Sequence, residues 1–280
     1  MEKRDTTRPN LAVLHPEALS RICKRSHLRP SADLAPYLAV YWVMEWDVPP
    51  GESYAQQVLP NPCVQIIISP NAVEVLGIVT TAFTATLEGS EFVLGVKFRP
   101  AGFYPFAQRP VAEITGRRVP LASLWAEAPV QAIRQRAAEH DSRGVVASIE
   151  ATLRDRLQQA GTAQQHVSEA IDIIATKPAL LTVEDLAQQS HLAPRTLQRL
   201  FHRYVGVGPK WVIRRYRLQE AAARIEAGET EDWADLAHRL GYFDQSHFIR
   251  EFRELAGQPP AAYGKGRPED RPVQEPTDEA

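Results

Sequence analysis

The sequence predicts an α+β multidomain chain. A β-rich, sandwich- or barrel-like N-terminal domain with trailing helices precedes an all-α C-terminal domain built from two helix-turn-helix units. Three features carry that prediction. Short runs of β-branched and aromatic residues, separated by Pro- and Gly-containing turns, fill residues 38–98. The hydrophobic period lengthens to that of a helix after Pro129. Within the helical half, a set of apolar, acidic, Gly and Pro positions recurs. The expected boundaries are residues 1–160 for the first domain, 163–264 for the second and 265–280 for a disordered tail.

Taken in order, the first thirty residues mix charges with Pro9, Pro16 and Pro30, which predicts an irregular arm and a short helix. Leu38–Trp46, Val64–Ile68, Val73–Leu76 and Phe92–Phe98 read as strands. Pro49-Pro50-Gly51, Pro60-Asn61-Pro62, Pro70-Asn71 and Glu88-Gly89-Ser90 read as the turns between them. Helices are expected over Val130–His140 and Val145–Gln159, the second with Val145, Ile149, Thr152, Leu153 and Leu157 on one stripe. Gly161-Thr162 is the expected hinge. Thr182 and Asp185 have capping-box spacing and start a helix through Gln189. Pro194 and Pro209 suit the first turn of new helices, and Gly206 and Gly257 suit left-handed closing positions. Beyond Gly264, Pro268, Pro272 and Pro276 stand among five acids in a solvated tail.

The totals exclude several classes. With 44% hydrophobic and 24% charged residues, the 280-residue chain has the composition of a soluble globular protein. Its longest uninterrupted apolar stretch, Val75–Leu87, is too short for a membrane span, which needs roughly 20 residues. The first thirty residues lack the apolar core of a signal peptide. Two cysteines, Cys23 and Cys63, build neither a disulfide framework nor a structural zinc site. A cytoplasmic protein with reduced thiols and no membrane partner is expected. The net charge of −2 is uninformative as a sum, because a sum hides a patch.

The internal repeat is specific. Asp185-Leu186-Ala187 recurs as Asp235-Leu236-Ala237. Leu197, Arg199, Phe201, Gly206 and Pro209 recur as Phe248, Arg250, Phe252, Gly257 and Pro260, displaced by one further residue. In the first copy Leu197, Leu200, Phe201 and Tyr204 form the core stripe, while Arg195, Gln198, Arg199 and His202 face the other way. In the second, Phe248, Phe252 and Leu255 are inward, and Ser246, Arg250 and Arg253 outward, with Gln245 at the helix start. A helix that reads DNA needs this division between a holding face and a reaching face.

Charge distribution adds to it. Between Asp185 and Glu220 there is no acid but seven cations: Arg195, Arg199, Arg203, Lys210, Arg214, Arg215 and Arg217. A one-sign window forgoes local ion pairs, which predicts a polyanion as the compensating partner. Arg and Gln also make bidentate contacts to guanine and adenine edges.

The stretch from about His166 to Tyr263 resembles the DNA-binding domain of the AraC/XylS family of bacterial transcription regulators. Leu192-Ala193-Pro194-Arg195-Thr196-Leu197-Gln198-Arg199-Leu200-Phe201 is similar to its first recognition helix. Gly241-Tyr242-Phe243-Asp244-Gln245-Ser246-His247-Phe248-Ile249-Arg250-Glu251-Phe252 fits the second unit's signature. Gly206-Val207-Gly208-Pro209, Arg217-Leu218 and Ala221 are similar to the connecting helix. The resemblance implies two units in successive major grooves, about 34 Å apart. It implies base contacts from Arg195, Gln198, Arg199, His202, Gln245, Ser246 and Arg250, and phosphate contacts from Lys210, Arg214 and Arg215. Promoter DNA is the implied partner, with RNA polymerase and a second copy of the chain as further ones. Two positions depart from the family: His191 and Ala193 stand where Gly and then Ser are usual, and Ala cannot cap a helix. Ile249 is apolar at an outward position.

The N-terminal half resembles a poorly characterised β-rich domain attached to a subset of these regulators, through Tyr41-Trp42, Val58–Val64 and Gly95–Gly102. By analogy it senses a small molecule, mediates dimerisation, or does both. Tyr41, Trp42, Trp46, Tyr54 and Arg99 are the candidate effector pocket, with Arg99 meeting an anionic effector; the competing reading is that the aromatics fill the core and Arg99 pairs with an acid. Cys63 reads as a buried small hydrophobe rather than a redox sensor. No metal-ligand pattern, cofactor motif or catalytic motif is present, and His140 between Glu139 and Asp141 reads as a solvated helix end. The chain is thus expected to be a DNA-binding regulator controlled by an effector, and not an enzyme. The alternatives are a constitutive dimeric DNA binder and an enzyme tethered to DNA.

Overall fold

The computed structural model describes residues 22–158, 161–177, 180–228 and 232–264. The N-terminal part is all antiparallel. Strands β1 (Cys23–Leu28), β2 (Leu38–Asp47), β4 (Gln65–Ile68), β5 (Val73–Leu76), β7 (Ser90–Phe98) and β8 (Arg118–Pro120) form a six-stranded sheet in the order β1-β2-β7-β4-β5-β8. Strands β3 (Tyr54–Val58) and β6 (Phe83–Leu87) pair as a separate ribbon. After the short helix α1 (Tyr104–Ala107), helices α2 (Glu127–Ala138) and α3 (Ser142–Arg156) complete this part.

Alternation along β2 assigns the two faces of the sheet. Tyr41 and Val43 are buried with Leu94, Val96 and Ile66, in one core with Ile133 of α2 and Val145 and Ile149 of α3. Because a phenol in such a core needs a partner, the Tyr41 hydroxyl donates to Glu150 Oε1 at 3.1 Å. Glu150 also accepts from the Ser31 amide at 2.9 Å and from Arg154, which reaches on to Asp33 at 2.7 Å. Burial works against the Glu150 charge, but Ser31, Arg154 and Tyr41 outweigh it and hold the carboxyl below its ordinary value. On the opposite face Trp42 lies over its cross-strand partner Gly95, where a Cβ would stand 1.9 Å from the ring. The Trp42 indole N–H donates to Gln65 Oε1 at 2.8 Å.

The C-terminal part comprises α4 (Thr162–Thr176), α5 (Val183–Ser190), α6 (Pro194–Tyr204), α7 (Pro209–Glu226), α8 (Trp233–Arg239), α9 (Gln245–Ala256) and α10 (Pro260–Gly264). Helix α5 opens on a full capping box: Thr182 Oγ1 accepts from the Asp185 amide, and Asp185 accepts from the Thr182 amide. Asp232 and Asp244 cap α8 and α9. Gly257 closes α9 at φ 77°. Pairs α5–α6 and α8–α9 are the two helix-turn-helix units, and α7 joins them.

The two parts share one continuous core. Gly206, just after α6, has φ 99° and lies against the loop after a 3-10 turn at Val111–Ile114. There the Thr115 hydroxyl donates to the Gly206 carbonyl at 2.8 Å. Arg203 donates to the Tyr104 hydroxyl from Nη2 and Nε at 2.7 and 2.9 Å, and the Tyr104 and Tyr204 rings meet at a tilt of 49° with centroids 4.2 Å apart.

Differences from the sequence reading are local. Cys23–Leu28 is an edge strand rather than part of an arm or short helix, while residues 1–21 lie outside the described residues, as does the tail expected over 265–280. Strands β3, β6 and β8 were not anticipated, because Gln56-Gln57, Thr84 and Thr86, and the three-residue Arg118–Pro120 carry little apolar pattern.

His191 closes α5 in the left-handed region at φ 55°, and Ala193 leaves α6 without a side-chain cap. His191→Gly relieves the backbone cost and Ala193→Ser supplies a cap, so each is expected to stabilise the fold by about 1 kcal/mol in urea denaturation. No gain from either would mean that the turn is held by contacts other than its own backbone.

Candidate nucleic-acid interface

Each recognition helix divides into two faces. On α6, Leu197, Leu200, Phe201 and Tyr204 are buried, while Arg195, Gln198, Arg199 and His202 are exposed. On α9, Phe248, Phe252 and Leu255 are buried, and Gln245, Ser246 and Arg250 are exposed. Ser246, Ile249, Arg250, Arg253 and Glu254 line an open groove along α9. Ile249 does not stand clear of the surface; it is half-buried against the core of the second unit. Both outward sets are therefore held on helices at the surface.

The cations of the acid-free window divide differently. Arg195, Arg199 and Lys210 are exposed. Arg203 is bound to Tyr104. Arg214 pairs with Glu251 at 2.9 Å and Glu254 at 2.8 Å. Burial opposes its charge, but the two carboxylates outweigh that and hold the guanidinium above its ordinary value. The Arg217 guanidinium lies over the Tyr242 ring, 3.8 Å from its centroid, and the Tyr242 hydroxyl donates to Glu251 at 2.7 Å. Arg215 is buried at 1% exposure, with its Nε–H donating to the Pro60 carbonyl of the β-rich part.

Two of the expected phosphate contacts are thus engaged within the protein. Arg215 points into the protein and presents nothing to DNA in this structure. Arg214 is committed to the second unit's carboxylates. Lys210 remains exposed on the first turn of α7.

The five expected effector residues do not meet in one pocket. Tyr41 and Trp42 lie on opposite faces of the sheet, as neighbours on a strand must. Trp46 and Tyr54 do meet, around Cys23, Val48 and Leu87. Arg99 is exposed and donates to the Ala35 carbonyl at 2.9 Å rather than to an acid. Two buried cations, Lys97 and Arg215, were not singled out for this half. The signal for Lys97 was readable: a lysine inside the apolar run Gly95–Phe98 of a strand buried on both faces. Among the described residues no group of three His, Cys, Asp or Glu side chains could hold a metal ion. No helix among them is long and apolar enough to cross a membrane.

Residues 186–266 match a family described as a helix-turn-helix domain, and residues 26–120 match a domain of unknown function, DUF6597. The chain is 34% identical over 107 residues to a Streptomyces lividans protein named an AraC-like transcription regulator, covering 38% of this chain and 35% of that protein. It is 35% identical over 75 residues to the transcriptional activator RhaS of Pectobacterium atrosepticum, covering 27% and 26%. Both matches span about a third or less of the relative's length. Among solved structures, the C-terminal domain of AraT, a response regulator from Geobacillus stearothermophilus, is similar at 24% identity and a TM-score of 0.34, covering 43% of this chain and 97% of that one. ToxT from Vibrio cholerae is similar at 10% identity and a TM-score of 0.37, covering 88% and 98%. The chain carries a helix-turn-helix domain behind a DUF6597 domain, and the helix-turn-helix part is similar to AraC-like regulators.

Lys210 and Arg214 separate by salt. Lys210→Ala is expected to lower the salt slope of DNA binding by about one unit, and Arg214→Ala to leave the slope unchanged. Arg214→Ala should instead cost roughly 2–3 kcal/mol of stability, because Glu251 loses a partner in a buried site. A reduced slope for Arg214→Ala at unchanged stability would return it to the phosphate contacts.

Proposed function

We propose that the chain is a sequence-specific DNA-binding transcription regulator that reads promoter DNA with α6 and α9 and responds to a small-molecule effector through its β-rich part. The observation that carries the DNA-binding reading is the pair of outward faces. Two units of matched construction each bury an apolar stripe and leave Arg, Gln, Ser or His side chains at the surface. Relatives of the helix-turn-helix part bear the names of transcription regulators and support the same reading.

The chemistry follows from the side chains. Lys210 screens a phosphate and fixes position without specifying sequence. Arg195, Arg199 and Arg250 offer forks that match guanine O6 and N7; Gln198 and Gln245 match adenine N6 and N7. His202 and Ser246 supply single hydrogen bonds. Helix α7 acts as the spacer that sets the two readers in successive major grooves. RNA polymerase and a second copy of the chain are further partners on this reading.

Arg195→Ala is expected to weaken binding to the chain's own operator by roughly 1–3 kcal/mol and leave binding to random DNA almost unchanged. The operator comes from footprinting the tagged protein across the genome, and fluorescence anisotropy on both DNAs reads the difference. Equal losses on the two would remove Arg195 from the base contacts.

A further inference from the structure

Among the described residues, Arg215 is a buried cation without a matching anion. Its Nε–H is satisfied by the Pro60 carbonyl, but neither Nη1 nor Nη2 reaches an acceptor. Among the described residues, the acidic groups that act on it are the Cys63 thiol and the phenols of Tyr216 and Tyr263. Burial pushes the Arg215 guanidinium down to about 10, which leaves it charged near neutral pH. Burial also pushes the Cys63 thiol up, despite the nearby Lys97, Arg215 and Arg99, so the thiol stays protonated. An unmatched buried charge is strongly unfavourable, and a bound anion relieves it.

The β-rich part brings a second cation to the same place. Lys97 is buried at 3% exposure, and both it and Arg215 lie within electrostatic reach of Cys63. By register Lys97 pairs with Gln65 and Val40; two residues along, Trp42, Gly95 and Ile67 line up on the same face. Trp42 and Ile67 are half-exposed there. The β3–β6 ribbon joins both ends of this region. Its Tyr54 and Leu87 pack with Met44 and Trp46 at one end, and at the other Leu59 and Ala82 pack with Leu218 of α7. A cationic end and an apolar wall therefore adjoin at the junction of the two parts.

We propose that this junction is a binding site for a small organic acid with an apolar body. Arg215 presents Nη1 and Nη2 to the carboxylate as a two-pronged donor, Lys97 adds positive charge, and the apolar body lies along Trp42 and Ile67. The apolar wall beside the cations is what favours an organic acid over a free phosphate. The site rests on the reading of the β-rich part as the sensing part and is independent of the DNA contacts.

The test is titration of the full-length chain with hexanoate and with benzoate, and with inorganic phosphate and chloride at matched ionic strength, in the absence of DNA. Calorimetry and thermal unfolding read the result for the unaltered chain, Arg215→Met and Lys97→Met. Saturable binding of at least one of the two acids is expected, with a raised Tm. Its affinity should fall roughly tenfold or more in Arg215→Met, since a hydrogen-bonded charge is lost, and also fall in Lys97→Met. Methionine replaces the buried charge with an apolar chain of similar length, which buried sites commonly accept. Should that variant not fold, Arg215→Lys keeps the charge, removes the fork and is expected to bind the acid more weakly. No saturable binding of either acid, phosphate binding as tightly as the acids, or full affinity in the Arg215 variant would each overturn the site. DNA binding measured separately without acid shows whether the regulator reading stands whatever the titration gives.

Discussion

Three arginines of α7, Arg214, Arg215 and Arg217, each find a partner outside that helix, and those contacts tie both parts of the molecule to it. Successive residues of a helix project about 100° apart, so Arg214 and Arg217 look to one side and Arg215 to another. The first two meet the second helix-turn-helix unit: Arg214 at Glu251 and Glu254, Arg217 over Tyr242. Burial pushes the Tyr242 phenol up, with Glu251 adding to the shift, which keeps the hydroxyl a donor to that carboxylate. Arg215 meets the β-rich part at Pro60. One helix is thus clamped from both sides through residues adjacent in sequence.

The first unit is attached by other means. Arg203 leaves the end of α6 for the Tyr104 hydroxyl, which raises the guanidinium above its ordinary value. The close approach of Gly206 to Thr115 depends on a glycine, since its φ of 99° suits few other residues and a Cβ there would stand 2.7 Å from the Thr115 hydroxyl. Both recognition helices consequently belong to one frame, whose other side is the β-rich part. The outward side chains Arg195, Gln198, Arg199, His202, Gln245, Ser246 and Arg250 take no part in these attachments and stay at the surface.

Much of the C-terminal architecture was legible because its determinants are local. The capping box at Thr182 and Asp185, the prolines opening α6 and α7, and the glycine closing α9 each act within one turn of chain, and each does what its spacing implies. The division of α6 into two faces follows from periodicity alone. The inference from the acid-free window was weaker for the opposite reason. It assumed that a cation without an acid three or four residues away lacks a partner. Glu251 lies 37 residues beyond Arg214 in sequence, Tyr104 stands 99 before Arg203 and Pro60 stands 155 before Arg215, and only folding brings them together. Tyr41 and Trp42 are adjacent on a strand, and period-2 geometry already forbids them a common side.

The same geometry bears on how the two halves can influence one another. Arg214 and Arg215 share a backbone, so a force on the Arg215 guanidinium reaches the mount of the second recognition helix through one peptide unit. Interactions within α7 do not have to change for this to happen; a shift of the helix as a body is enough, because a packed helix moves more readily than it deforms. A change in the Pro60–Arg215 contact that differs between two positions of α7 would shift the preferred position of α9, and by linkage anything that fixes α9 would act back on the junction with equal strength. Arg203 and Tyr104 place the first unit under the same condition. A helix bound to both the reading and the β-rich parts has no position that serves one of them alone.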